Sequence, residues 1–311
     1  MPIIWKPSKE HLTKSNIARF MRAHSITDYD TLIKKCSGDI EWFWDTALKD
    51  LGIQWDKPYT KILEGNLPFA NWFIGGKINI VTNCLDRHQK TDVKNKTAFI
   101  WEGDCGAVKK VSYAELFDQV NRLASGMKKL GIGKGDAVGI YMPMIPEMMT
   151  AFFATLKLGA VVVPIFSGFG PEPASVRLDD AKAKLLFTAD GGLRRGKKIA
   201  IKQQADEAVN GAPSVKHVVV AKRLFEDIPW TEGRDIWFED LLNSPPLKKG
   251  GRGDLRDNVI GTESLAAEDR SIIIYTSGTT GKPKGTVHTH AGCLAQMVKE
   301  VAYYMDCKKE D

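Results

Sequence analysis

Two short runs constrain this chain most tightly: Val161-Val162-Val163 and Leu185-Leu186-Phe187 are apolar at every position. A strand with one wet face alternates, because successive side chains point to opposite sides of the sheet. An unbroken apolar run belongs to a strand covered on both faces. Such strands are typical of parallel sheets flanked by crossover helices, and the neighbouring sequence supplies the helices. Strands are expected at 98–101, 137–142, 160–165, 184–188, 217–220 and 271–276. Helical spacing fills 112–130 (stopped by Gly131), 146–158 (Pro146 near its first turn), 173–181 and 197–209. The expected fold class is α/β, a mostly parallel sheet with helices on both faces.

Residues 1–90 have a different texture. Helical spacing over 8–23 and 28–51 is followed by a Trp-rich, Pro/Gly-punctuated stretch, 55–76, expected to be an irregular wrap. Trp42, Trp44, Trp55 and Trp72 are expected to anchor this N-terminal helical and irregular cap rather than to stack on a substrate. The expected organisation is a cap over 1–90 and an α/β subdomain over 91–242. Residues 243–311 then hold a linker, rich in Pro, Gly and charge over 243–266, and the start of a second α/β subdomain.

The run 148–166 is apolar except for Lys157 and is nearly long enough to span a bilayer. Gly159 and Pro164 divide it into a helix and a strand, so a buried α/β unit is expected and no membrane association. Five cysteines, odd in number, widely spread and without a Cys-x-x-Cys, argue for reduced thiols in a cytoplasmic compartment. The N-terminus lacks the apolar core of a signal peptide. A net charge of +6 is mild. The basic clusters at 194–198 and 248–256 are not interleaved with aromatics, so nucleic acid is not an expected partner.

The most informative segment is Tyr275-Thr276-Ser277-Gly278-Thr279-Thr280-Gly281-Lys282-Pro283-Lys284-Gly285. Glycines let main-chain N–H groups approach an anion and form a nest, hydroxyls donate to phosphate oxygens, and the two lysines bring mobile positive charge. This inventory suits a polyphosphate. A solvated Ser/Thr/Gly turn is the competing reading. Against it, apolar β-branched residues lead in at 272–274 and Thr286-Val287 leads out, as though buried strands pin both ends. The loop is not a P-loop: only two residues separate Gly278 from Gly281, Pro283 follows the lysine, and the exit has strand character.

A defective P-loop match occurs at Gly191-Gly192-Leu193-Arg194-Arg195-Gly196-Lys197-Lys198, expected between a strand and a helix, with Lys198 in place of the metal-binding hydroxyl. A phosphate-bearing ligand and a solvated basic turn both remain open there. His288 and His290, two apart in the expected exit strand, point to one face as a conceivable metal pair, but no third ligand lies nearby in sequence.

The stretch 276–285 matches in full the signature loop of the adenylate-forming superfamily, and the chain resembles that family's acyl-CoA synthetases. Trp72-Phe73-Ile74-Gly75-Gly76-Lys77-Ile78-Asn79, Asn83-Cys84-Leu85-Asp86-Arg87-His88 and Pro229-Trp230-Thr231-Glu232-Gly233-Arg234-Asp235 are similar to segments of its acetyl- and propionyl-CoA synthetase branch. Residues 159–171, through Ile165-Phe166-Ser167-Gly168-Phe169, are similar to the loop these enzymes place near the CoA channel. The resemblance implies an ATP- and Mg²⁺-dependent, AMP-forming ligase. A carboxylate and ATP give acyl-adenylate and pyrophosphate, and CoA then takes the acyl group. It implies that Thr276, Ser277, Gly278, Thr279, Thr280, Gly281, Lys282, Lys284 and Gly285 bind ATP. Lys282 and Thr276 would act in catalysis, with the Thr276 hydroxyl on the magnesium side. It also implies that Arg194, Arg195, Gly196 and Lys197 contact CoA, Arg195 standing where the family has glycine.

Family members are about twice this length, and the family's Thr-Glu-x-x-Gly, Thr-Gly-Asp, hinge and C-terminal lysine do not occur here. The expectation is an N-terminal portion, inactive alone, which awaits a C-terminal portion or a complementary chain. The alternative is a stand-alone nucleotide- or CoA-binding module, or one subunit of a split synthetase.

Overall fold

The structure, a computed structural model, describes residues 6–104, 106–244, 260–276, 283–308 and 310. It divides into two units: Met1–Ile78 with Ala266–Glu268 and His290–Asp311, and Asn79–Leu265 with Asp269–Thr289.

The first unit begins with helices α1 (Lys9–Lys14), α2 (Asn16–Ala23), α3 (Tyr29–Gly38) and α4 (Ile40–Asp50). The two long helical patterns are therefore each broken once, at a residue that caps the next helix. Ser15 leaves helical geometry at ψ 154° and accepts from the Ala18 N–H, and Asp39 accepts from the Trp42 N–H. Each satisfies an N–H that a helix start leaves unpaired. The stretch 55–76 is less irregular than expected, because β1 (Lys61–Glu64) and β2 (Asn71–Ile74) pair as an antiparallel hairpin. At the centre lies Phe20, fully buried, with the rings of His24, Tyr303 and Trp42 at 4.6, 5.2 and 6.2 Å. Asp50 accepts from the Tyr303 hydroxyl at 2.6 Å and from Arg19 at 2.5 and 2.9 Å. Within this unit Trp44 packs on Phe43, and Trp55 on Tyr59 and Phe73.

The second unit starts with α5 (Ile80–Cys84) and an antiparallel pair, β3 (Thr97–Glu102) and β4 (Val108–Ser112). Then come α6 (Tyr113–Lys129), β5 (Ala137–Ile140), α7 (Pro146–Lys157), β6 (Val161–Pro164), α8 (Pro171–Asp180) and β7 (Leu185–Ala189). A small hairpin, β8 (Gly192–Arg194) and β9 (Lys197–Ile199), precedes α9 (Ile201–Asn210), β10 (His217–Ala221), β11 (Asp235–Trp237) and α10 (Phe238–Leu242). The described elements of this unit close with β12 (Arg270–Thr276) and β13 (Lys284–Thr289). Among the described residues the main sheet has seven strands in the order β11-β10-β7-β5-β6-β12-β13, parallel except for β13.

Both faces are covered, as the apolar runs require. Val161, Val163, Leu186, Val218 and Val220 pack against Ala174 and Leu178 of α8 and Ile201 and Ala205 of α9. On the other face α6 lies against α7 and α10, and Phe187 meets Phe238 of α10. Gly126 sets the α6–α10 approach: a Cβ there would lie 2.6 Å from the Leu241 carbonyl oxygen.

Two buried lysines tie loops to this frame. Lys157, the one charge in its apolar run, is 1% exposed. Burial pulls its pKa down and Asp86 opposes that pull, with Nζ 3.1 Å from the carboxylate and 2.6 Å from the Thr262 hydroxyl. Within the expected linker Thr262 is thereby held to Lys157, and Leu265 is fully buried. Lys202, also fully buried, reaches Asp206 and Asp235 at 2.8 and 2.9 Å and the Pro229 carbonyl at 3.0 Å. Burial pushes the Asp235 carboxyl up. Hydrogen bonds from Arg234, Lys202 and the Thr231 N–H outweigh it and hold the carboxyl below its usual range.

Among the described residues, no helix is long and apolar enough to cross a membrane, and 148–166 forms α7 and β6 as expected.

Gly126→Ala gains about 1 kcal/mol of helix propensity but drives a methyl into the Leu241 backbone. Urea unfolding should show a net loss of about 1–3 kcal/mol, and a gain would contradict the packing described. Lys202→Met strands buried carboxylate and should cost about 3–5 kcal/mol at neutral pH. A carboxyl with a depressed folded pKa contributes stability above its unfolded value and loses it as pH falls through the folded value. The deficit of Lys202→Met should therefore shrink below the ordinary aspartate value of 3.8, measured by urea titrations across pH.

Candidate functional site

Parallel strands share a polarity, so the loops that leave β5, β6, β7 and β10 emerge along one edge of the sheet. The helix after β5 covers one face, whereas those after β6 and β7 cover the other. The loops consequently part above β5, and open α/β sheets bind ligands at such a parting. Here a cleft of about 260 Å³ opens. Its walls are Pro143–Ile145 after β5, Phe166–Gly168 after β6, Gly192–Arg194 after β7 and Arg223 after β10. Residues 101–104, at the end of β3, complete it.

Arginine and aromatic side chains pair on its walls. The Arg194 guanidinium lies 5.9 Å from the Phe166 ring centre, and that of Arg223 lies 5.2 Å from the Trp101 ring. Cation–π contact of this kind pre-places a guanidinium while its N–H groups keep donating in the ring plane. The Trp101 indole N–H donates to the Met144 carbonyl at 2.7 Å, fixing one ring. Phe166 meets Phe169 edge-on at 5.5 Å, and the Arg177 guanidinium lies 4.5 Å from Phe169 and 5.8 Å from Tyr275. Tyr275 donates to Asp180 at 2.5 Å, and burial followed by this bond pushes its phenol well up. A continuous line of contacts thus joins the cleft wall to β12.

Thr276 ends β12, and Lys284 begins β13 directly across the hairpin from it. Because β12 runs parallel to β6, Thr276 opens onto the same edge as the cleft loops. Both Thr276 and Lys284 are exposed. Ser277, Gly278, Thr279, Thr280, Gly281 and Lys282 lie outside the described residues. At Gly285 a Cβ would come 2.9 Å from Ile273 Cγ2 and 3.3 Å from the Tyr275 ring, so close packing within the hairpin requires glycine there.

The expectation of buried strands on both sides of this loop needs correction. Ile272 and Ile273 are buried, but Ile274 and Val287 are 42% and 50% exposed. The lead-out strand β13 is the last described strand of the sheet, and a strand in that position lacks a neighbour on one side.

Residues 191–198 lie between a strand, β7, and a helix, α9, as expected, but they fold as a hairpin rather than a plain loop. Arg194 pairs with Lys197 in the β8–β9 hairpin, and the turn residues Arg195 and Gly196 have φ of 52° and 74°. Two consecutive left-handed residues reverse the chain in step with strand twist, so the helix expected from 197 begins at Ile201. Arg195 occupies a conformation that glycine adopts more easily. Of the four expected CoA contacts only Arg194 lines the cleft; Arg195, Gly196 and Lys197 sit at the exposed turn. His288 and His290 do not share a strand either: β13 ends at Thr289, and His290 opens the helix His290–Lys299, fully buried. Among the described residues no three His, Cys, Asp or Glu side chains gather as metal ligands do.

Sequence reasoning missed Trp101 and Arg223. Arg223 had one available signal, its place just past the carboxyl end of a parallel strand. Trp101 had none, because β3 lies outside the main sheet.

Residues 85–311 match the AMP-binding enzyme family, and residues 29–84 match the acetyl-coenzyme A synthetase N-terminus. An acetyl-coenzyme A synthetase of Methanothrix thermoacetophila is 42% identical over 298 residues, which cover 96% of this chain and 43% of that protein. The Methanothrix soehngenii acetyl-coenzyme A synthetase is 38% identical over 99% of this chain and 45% of its own length. The chain therefore spans less than half the length of these relatives. Acetoacetyl-CoA synthetase from Streptomyces lividans superposes with a TM-score of 0.87 at 23% identity, over 99% of this chain and 46% of that one, a likeness of fold. On these matches, and with the α/β sheet that carries them, the chain belongs to the AMP-binding enzyme family.

Proposed function

We propose that this chain is the N-terminal part of an ATP-dependent, AMP-forming acetyl-CoA-type synthetase. The observation that carries the reading is the hairpin β12–β13, which holds Thr276 opposite Lys284 at the carboxyl edge of the sheet. The stretch between them is the hydroxyl-, glycine- and lysine-rich one. The carboxylate of the substrate, acetate by likeness to the relatives, attacks the α-phosphorus of ATP, and the bond to pyrophosphate breaks. The CoA sulfur then attacks the acyl carbon as AMP leaves, and the thiol proton passes to solvent or a base.

In this reading the residues from Ser277 to Lys282, with Lys284 and Gly285, hold the β- and γ-phosphates. Lys282 and Lys284 offset the charge that grows on departing pyrophosphate, a positional and electrostatic role. The hydroxyl of Thr276, an exposed residue, would help to hold the magnesium that arrives with ATP, which would offset phosphate charge. CoA enters the cleft beyond β5, β6, β7 and β10, where Arg194 offers a guanidinium to a phosphate. Arg195 and Lys197, on either side of Gly196 at the exposed hairpin turn, add positive charge beside Arg194. Cys36, Cys293 and Cys307 are free thiols, which supports a reducing, cytoplasmic setting.

Calorimetric titration of the chain with CoA and, separately, with ATP–Mg²⁺ tests the proposal. Saturable binding of both is expected, with Arg194→Gln weakening CoA about tenfold and leaving ATP–Mg²⁺ unchanged. Absence of binding for both ligands would sink it. In the whole enzyme, Lys282→Ala should slow pyrophosphate release about a hundredfold or more while the KM for acetate changes little. Equal losses in both would show that the loop does not act on the leaving group.

A further inference from the structure

The cleft carries a second arginine that the family signature does not include. Arg223 and Trp101 repeat the construction of Arg194 and Phe166. In each pair a guanidinium lies over a ring, and a glycine leaves room for both partners. A Cβ at Gly103 would lie 2.5 Å from the Trp101 ring and 3.2 Å from an Arg223 terminal nitrogen. A Cβ at Gly168 would lie 2.4 Å from the Phe166 ring and 3.0 Å from an Arg194 nitrogen. Neither pair tolerates a side chain at its glycine without moving.

Arg223 is also held from behind. Asp190, buried just past the end of β7, accepts from three successive backbone N–H groups, those of Arg223, Leu224 and Phe225, at 2.7 to 3.1 Å. One carboxylate thus clamps the loop after β10, and Phe225 is drawn into a left-handed backbone at φ 57°. A side chain presented from so constrained a loop loses less entropy on binding than one on a free loop.

The neighbouring residues narrow the ligand class. Glu102 and Asp104 line the same cleft, so it is not a general trap for anions. It suits a molecule that combines phosphate with a flat ring bearing N–H donors: phosphate for the guanidinium groups, donors for the carboxylates, and a π-face for the rings.

Resting on the reading of this cleft as the CoA site, we propose that Arg223 and Trp101 form its second anchoring station. Arg223 donates to a phosphate of the phosphorylated adenosine portion of CoA, and Trp101 backs the guanidinium and offers its ring edge to the base. CoA carries phosphate at two positions of its ribose, so two guanidinium groups in one cleft, Arg194 and Arg223, favour it over nucleotides with a single phosphate cluster.

The test compares wild type, Arg223→Gln, Arg223→Lys and Arg194→Gln by calorimetric titration with CoA and with ATP–Mg²⁺, each variant checked by thermal melting. Arg223→Gln should weaken CoA about ten- to hundredfold, leave ATP–Mg²⁺ binding and the melting temperature unchanged, and be partly rescued in Arg223→Lys. Full CoA affinity in Arg223→Gln alongside loss in Arg194→Gln overturns this proposal and leaves the cleft reading intact. Equal weakening of both ligands with a lowered melting temperature assigns Arg223 a structural role and also overturns it. Wild type that binds ATP–Mg²⁺ but no CoA overturns the cleft reading and the proposal together.

Discussion

Burial of the central strands on both faces is the constraint from which the rest follows. Strands such as Val161–Pro164 and Leu185–Ala189 cannot face water on either side, so helices must return over both faces, and each return brings the next strand back parallel. Parallel polarity then places every strand's carboxyl end on one edge. The loops bearing Met144, Phe166, Arg194 and Arg223 meet there although their residues are far apart in sequence. The cleft is a consequence of the sheet's direction.

The polar anchors support this geometry. Lys157 and Lys202 are buried charges, and each is paired with carboxylates that come from other segments. Buried ion pairs add little net stability over apolar packing, but they penalise misplacement strongly, because a stranded charge is costly. Lys157 and Asp86 register residues 260–265 against α7, and Lys202 and Asp235 register 229–235 against α9. Asp190 does the same for the loop that carries Arg223, with backbone N–H groups in place of a cation. Placement of the cleft's side chains rests on these local fasteners as much as on the apolar core.

Much of the fold was legible because its signals are local. The apolar runs, the capping box of Ser112 with Glu115 and the prolines in the first turns of α7 and α8 each act within a few residues. The errors arose where two local readings were both admissible. Residues 197–209 carry helical spacing, yet Arg195 and Gly196 adopt left-handed conformations that turn the chain into a hairpin, and only pairing with Gly192–Arg194 decides between them. His290 continues the alternation of β13, yet the strand stops at Thr289 and a helix takes over.

From its letters alone the chain determined an α/β class, a helical N-terminal segment and a hydroxyl- and glycine-rich stretch between strands, since each depends on periodicity or on residue chemistry over short spans. Tertiary structure alone decided that Arg194 lines the cleft while Arg195 and Lys197 face outward. It also brought Arg223 and Trp101 into the same cleft. The physical reason is that a strand's direction, and the partner that pins each loop, depend on contacts between residues tens to more than a hundred positions apart, and such contacts leave no periodic mark on the sequence.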